Sequence, residues 1–173
     1  MSPNTLTVLG LVVSAIAAFM FARGSMILGG VLLLLSGIFD VFDGAVARAS
    51  NFTTRFGGVL DSVCDRYADA LIFAGIIYGL ISGNMVQSPL LGIDVWLWAM
   101  FAMIGSFLVS YTRARAEAAG SGVLNVGIAE RSERMILLII AAFTGFLGPI
   151  LAFIALITHV TLLQRIISAK ERL

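Results

Sequence analysis

The sequence predicts an all-α integral membrane protein with six transmembrane helices and both termini cytoplasmic. Three observations carry this. The 173 residues are 60% hydrophobic and only 12% charged, with a mean hydropathy of +1.03, whereas a water-soluble domain carries roughly twice that share of charge. Apolar runs recur at bilayer-crossing length, separated by short polar turns. The charged residues, finally, gather at one end of the bundle that those runs would make. No loop is long enough for a soluble or nucleic-acid-binding domain, so residues 1–173 are expected to form a single membrane domain.

The elements follow in order. Residues 6–22 form a first span, with Asn4 or Thr5 as its cap. This span has no basic leader, so no cleavable signal peptide is expected. After the turn Arg23-Gly24-Ser25, residues 26–39 reach spanning length only if the helix continues through Asp40 and Asp43 to about Arg48. Residues 50–56 are a polar connection. A third helix over about 57–80 carries Asp61, Asp65 and Asp69 near its start, and residues 82–89 form a loop without basic residues. A fourth helix covers about 94–118, with Trp96 and Trp98 as interfacial anchors. A glycine-rich loop at 119–126 leads to a charged segment at 128–134. The fifth span covers 135–146, Gly148-Pro149 turns the chain, and a sixth span covers 150–163.

Six spans place Arg48, Arg55, Arg66, Arg113, Arg115, Arg131, Arg134, Arg165, Lys170 and Arg172 on one side, and only Arg23 on the other. The positive-inside rule makes the crowded side cytoplasmic. The single cysteine, Cys64, excludes an intramolecular disulfide and reads as packing, as does the single histidine, His159. Gly75, Gly79 and Gly83, spaced i, i+4, i+8, predict a close helix contact, with a homodimer seam as one use.

Five of the ten acidic residues fall between positions 40 and 69. Asp40 and Asp43 are spaced i, i+3, and Asp61, Asp65 and Asp69 are spaced i, i+4, i+8, so each set shares a helix face. Carboxylates this close repel, and burying them without partners is costly. A cationic group is therefore expected among them. Oxygen-only donors suit Mg²⁺ or Mn²⁺, and a pair of such ions commonly handles phosphate. Gly44 and Gly57 flank the acids and admit a bulky ligand, while Arg48 is placed to meet phosphate. Salt bridges to Arg48, Arg55 and Arg66 would be a purely structural alternative. A metal-ion or proton-coupled transporter also uses intramembrane carboxylates, but it would need polar groups at mid-membrane and on the far side.

The run Asp40-x2-Asp43-Gly44-x2-Ala47-Arg48-x8-Gly57-x3-Asp61-x3-Asp65 resembles the signature of the CDP-alcohol phosphatidyltransferases at every fixed position. The resemblance implies a six-span enzyme in which Asp40, Asp43, Asp61 and Asp65 hold two divalent ions, Mg²⁺ or Mn²⁺. It implies that Asp65 is also the general base. It places Asp43, Gly44, Ala47, Arg48 and Gly57 around the CDP moiety, and Thr54 is added to that group. The segments at 110–120 and 130–134 and the pair Gln164-Arg165 are similar to those of the phosphatidylinositol phosphate and archaetidylinositol phosphate synthases. The substrates implied are CDP-diacylglycerol or CDP-archaeol and inositol 1-phosphate, with CMP released. Arg113, Arg131, Arg134 and Arg165 would bind the acceptor phosphate. The family often has lysine at the first of these, so Arg113 departs mildly from the pattern. Glycerol 3-phosphate, serine, or CDP-inositol with inositol phosphate are alternative substrates. Arg115, Lys170 and Arg172 read as flanking charge, Arg55 and Arg66 as flanking or headgroup contacts, and Asp69 fits no motif position.

Overall fold

The computed structural model describes residues 3–49 and 54–173, with side chains described at 4–42 and 54–173. Six helices follow one another: α1 Pro3–Ala22, α2 Met26–Ala49, α3 Arg55–Ile81, α4 Val95–Ala118, α5 Arg131–Thr144 and α6 Leu147–Arg172. Among the described residues there is no strand, only an isolated bridge between Leu90 and Ile93.

The helices close into a ring. α1 packs on α2 and α3, α2 on α5, α5 on α6, α6 on α4, and α4 back on α3. Phe21, Leu33, Phe73, Ile76, Leu151 and Ile154 fill the interior with almost no exposure. Val12, Phe19, Ile27, Phe153, Leu156 and Leu163 face outward from several helices. An apolar belt of this extent suits lipid rather than water. By length and composition, three helices can cross a membrane, those covering Asn4–Ala22, Val95–Ala118 and Leu147–Arg172, and the apolar part of α2 is the shorter stretch Met26–Phe42.

The helix limits differ from the sequence reading mainly at α5 and α6. α5 begins at Arg131, so its charged segment belongs to the helix. Its 14 residues rise only about 21 Å, less than a hydrocarbon core of about 30 Å. Gly148 and Pro149 lie in the first turn of α6, and the chain reverses instead at Gly145, a left-handed cap. Pro149 needs no hydrogen-bond donor so near a helix start. α6 runs on to Arg172 and so holds Arg165 within a helix.

Two contacts fix the relative position of α1 and its neighbours. Ser14 and Ser36 share a buried hydrogen bond of 2.7 Å, and Ser36 Oγ also donates to the Gly10 carbonyl at 3.1 Å, joining α1 to α2. On the other side, Gly75 and Gly79 of α3 lie against the α1 backbone. A Cβ at Gly75 would sit 2.2 Å from the Ala18 carbonyl oxygen, and one at Gly79 2.6 Å from that of Phe21. The glycine stripe is thus a seam within the chain, and this part of it is closed to a second copy. Gly83 takes no part in it and has open space where a Cβ would stand. At the same end, Gly24 adopts φ +77°, and Asn84 Nδ2 donates to the Ala22 carbonyl at 2.9 Å.

Gly75→Val drives two branched carbons into the α1 backbone. We expect it to lower the stability of the detergent-solubilised protein by about 1–3 kcal/mol, read as a fall in Tm. Gly58→Ala on the same helix, where a Cβ meets nothing within 4 Å, should leave Tm unchanged or raise it slightly, because alanine favours a helix.

Candidate active site

The acidic residues and arginines meet at the end of the ring opposite Gly24. Asp40 sits just past the middle of α2, and Asp61, Asp65 and Asp69 on successive turns of α3. α3 is started by Thr54, which has an extended backbone and whose side-chain oxygen accepts a 2.9 Å hydrogen bond from the Gly57 N–H. That cap is worth about 1 kcal/mol, and it sets the register that carries the three aspartates on one face.

A single guanidinium enters from α5 and joins them. Arg131 Nη1 pairs with Asp40 and lies 2.9 Å from Asp65, while its Nε donates to Asp69 at 3.2 Å. The Arg131 side chain keeps only 16% of its exposure. Arg134, one turn later, donates to Asp69 at 2.8 Å through Nη2 and to the Ala129 carbonyl at 2.8 Å through Nη1. Its Nε is buried with no hydrogen-bond partner. Asp69, which fits no motif position, therefore holds two arginines.

A second charged group lies beside the first. Arg165 is buried and donates to the Val126 carbonyl at 2.9 Å and the Val109 carbonyl at 2.8 Å. Arg113 is more open and donates to Glu117 at 3.0 Å and Asn125 at 3.4 Å. Both point at Glu130, whose carboxylate is 3.8 Å from each guanidinium. Glu117 in turn accepts from the Leu124 N–H at 3.2 Å, which fixes the loop before α5.

The residues singled out in the sequence therefore divide. The structure brings Asp40, Asp65 and Arg131 together, and it brings Arg113 and Arg165 together at Glu130. Asp61 stands one turn before Asp65 on α3. Arg134 turns away from that second pair toward Asp69. Thr54 serves as a helix cap. The side chains of Asp43, Gly44, Ala47 and Arg48 lie outside the described residues, so the motif's CDP positions are described only at Thr54 and Gly57. Arg66 pairs with Asp65 at 3.6 Å and, with Arg55, lines an outer groove between α3 and α4. Cys64 is buried and unbridged, and His159 Nδ1 bonds the Ala155 carbonyl within its own helix.

Among the described residues, no three acidic, histidine or cysteine side chains converge as a metal cluster. The described carboxylates converge on the Arg131 guanidinium instead. Their geometry nevertheless fits a hard cation: carboxylates from two helices already reach a single positive centre, and the donors are all oxygen. Glu130 and the pairing of Asp69 with α5 escaped the sequence reading. The available signal was the match of Asp65 and Asp69 at i, i+4 with Arg131 and Arg134 at i, i+3.

An apolar groove of about 770 Å³ leads to this nest between α2 and α5. Leu34, Ile38, Met135 and Ile139 line it, and Asp40, Asp65 and Arg131 stand at its head.

The chain belongs to the CDP-alcohol phosphatidyltransferases, whose family model matches residues 1–164. It is 38% identical over 172 residues to the archaetidylinositol phosphate synthase of Pyrococcus horikoshii, covering 99% of this chain and 85% of that protein. Against the enzyme of the same name from Methanothermobacter thermautotrophicus, identity is 37% over 174 residues, with 97% and 83% covered. Among solved structures it is similar to Mycobacterium tuberculosis phosphatidylinositol phosphate synthase with CDP-DAG bound, at TM-score 0.85 and 27% identity over 98% of this chain and 86% of that one. The same mycobacterial enzyme in complex with manganese and citrate matches at TM-score 0.86 and 29% identity, over 98% and 83%.

Arg165→Lys tests the second group. A lysine has one nitrogen and cannot reproduce the fork that reaches Val126 and Val109. We expect a loss of about 1–3 kcal/mol and a lower Tm, with Arg113→Lys, at a half-buried position, costing less than half as much.

Proposed function

We propose that this protein transfers the phosphatidyl or archaetidyl group of a CDP-linked lipid to a hydroxyl of inositol 1-phosphate and releases CMP. The observation that carries the reading is the groove between α2 and α5, apolar along its length and ionic at its head. An amphiphile with tails and a diphosphate matches both parts. The names of the relatives support the same substrates.

In this reading Asp40, Asp43, Asp61 and Asp65 hold two divalent ions, Mg²⁺ or Mn²⁺. When bound, the ions would polarise the diphosphate and take up charge developing on the departing CMP. Asp65 removes the proton from the acceptor hydroxyl as that oxygen attacks the lipid-linked phosphorus. Asp43, Gly44, Ala47, Arg48, Thr54 and Gly57 surround the CDP moiety, Thr54 through the turn it caps.

Arg113, Arg131, Arg134 and Arg165 make up the acceptor-phosphate pocket. The point between Arg113 and Arg165 attracts an anion, as the approach of Glu130 to both illustrates. Arg131 and Arg113 offer the more exposed guanidiniums. Arg134 and Arg165, enclosed on both sides by protein acceptors, contribute mainly charge and shape.

The six helices cross the cell membrane six times, both termini are cytoplasmic, and residues 1–173 act as one domain with the site facing the cytosol. The support is the placement of charge: of the basic residues, only Arg23 lies at the far end. A homodimer is part of the reading, through a face other than the Gly75–Gly79 seam.

The test supplies CDP-lipid and Mg²⁺ to the purified protein and follows CMP release. Turnover is expected with inositol 1-phosphate, and turnover with glycerol 3-phosphate or serine instead would sink the acceptor assignment. Asp65→Asn should lower kcat by at least about 10³-fold while CDP-lipid binding changes little.

A metal-removal experiment addresses the nest. In chelator, Arg131→Gln takes from Asp40, Asp65 and Asp69 the guanidinium they share, leaving Arg134 on Asp69 and Arg66 near Asp65. Its Tm is expected to fall by at least about 4 °C below that of the native protein. Added Mg²⁺ should then raise the variant's Tm more than the native protein's, because the ion no longer competes with the guanidinium.

A further inference from the structure

We propose that Asp69 is the positioning residue of the acceptor pocket: it orients Arg131 and Arg134 so that their charge faces the acceptor phosphate. The proposal rests on the reading of these arginines given above.

Asp69 is buried, and its two carboxylate oxygens serve different arginines. Oδ1 accepts from Arg131 Nε at 3.2 Å, and Oδ2 from Arg134 Nη2 at 2.8 Å. The two arginines are three residues apart on α5 and so share its inner face. α3 and α5 are not neighbours in the ring, since α3 packs on α1 and α4 and α5 on α2 and α6. Asp69 thus reaches across the interior and ties the acid-bearing helix to the arginine-bearing one.

Its bond to Arg131 is also of a particular kind. Asp69 takes Nε, at the root of the guanidinium, while Nη1 goes to Asp40 and Asp65. Cations held by those two aspartates would compete with Nη1 through like charge. The Nε bond is untouched by that exchange. Held at its root, the guanidinium would pivot rather than leave, keeping its Nη groups within reach of the acceptor's phosphate. Arg134 is held on both Nη groups, by Asp69 and the Ala129 carbonyl. That second bond connects the pocket wall to residue 129, next to Glu130. Asp69 is buried and both its carboxylate oxygens are taken by arginines, so it acts through them.

The experiment measures KM for inositol 1-phosphate and KM for CDP-lipid separately, with kcat, in Asp69→Asn, Asp69→Glu and Arg113→Gln. Asparagine keeps the volume but presents an amino group to one guanidinium, donor against donor. KM for inositol 1-phosphate is expected to rise about tenfold or more, with KM for CDP-lipid within about twofold. Asp69→Glu keeps the charge but shifts it by a methylene, and should give a smaller rise of the same kind. A merely structural role would move both constants together or lower the amount of active enzyme at unchanged constants, and either result overturns the proposal. If Asp69→Asn yields no folded protein, the glutamate variant alone decides on the same criterion. Arg113→Gln separates the underlying reading. If it leaves the acceptor KM unchanged, the pocket assignment fails and the role of Asp69 falls with it. If Arg113→Gln raises that KM while the Asp69 variants do not, the pocket stands and the positioning role is wrong.

Discussion

Like charges cannot be gathered in a poorly polarisable interior without a counter-charge among them. The rest of the structure depends on how that constraint is met. Asp40, Asp65 and Asp69 come from two helices and would repel one another strongly in an apolar bundle. Arg131 resolves the repulsion by reaching in from a third helix and touching all three. The position of α5 in the ring is therefore coupled to the acidic face of α3, although the two helices are not packed side by side. Buried ion pairs of this kind are weak contributors to net stability. The proposed function accounts for keeping Asp40 and Asp65 together, since they would receive cations.

The apolar and ionic parts of the molecule do separate tasks. The seam of Gly75 and Gly79 against α1, and the serine pair between α1 and α2, set helix positions by close contact and hydrogen bonding. The opposite end is set by charge: Arg113, Arg131, Arg134 and Arg165 each hold a carboxylate, a carbonyl or both. Between them the groove along α2 and α5 joins the lipid-facing surface to the ionic end. A substrate with tails and a diphosphate needs both environments within one molecule's length.

Much of this was legible beforehand. The first four helices lie within a few residues of where hydropathy put them, because long apolar runs with polar breaks leave little freedom. The aspartate spacing and the fixed motif positions pointed to the family that the comparisons show. The limits of α5 and α6 were less legible. Charged residues at 131–134 and 164–172 look like loop by hydropathy, yet they lie in helices: Arg131 and Arg134 meet aspartates of α2 and α3, and Arg165 meets the Val109 and Val126 carbonyls. The pairing partners were the least legible. Arg48, Arg55 and Arg66 are near the acids in the chain, but Arg131, some sixty positions beyond Asp69, bridges them, and only the closure of the ring brings it there. Asp69 was unexplained for the same reason, since its partners lie on a helix that local spacing cannot place.

The two ends of the bundle also differ in what can loosen them. At the Gly24 end, backbone lies against backbone and Asn84 clasps the Ala22 carbonyl. Dissolved ions have no purchase on such a joint. At the other end the fastening is largely electrostatic, and the contacts of Arg131 Nη1 with Asp40 and Asp65 are ones for which a divalent cation would compete. The base of the bundle is thus indifferent to the ionic composition of the solution, while its rim is sensitive to it.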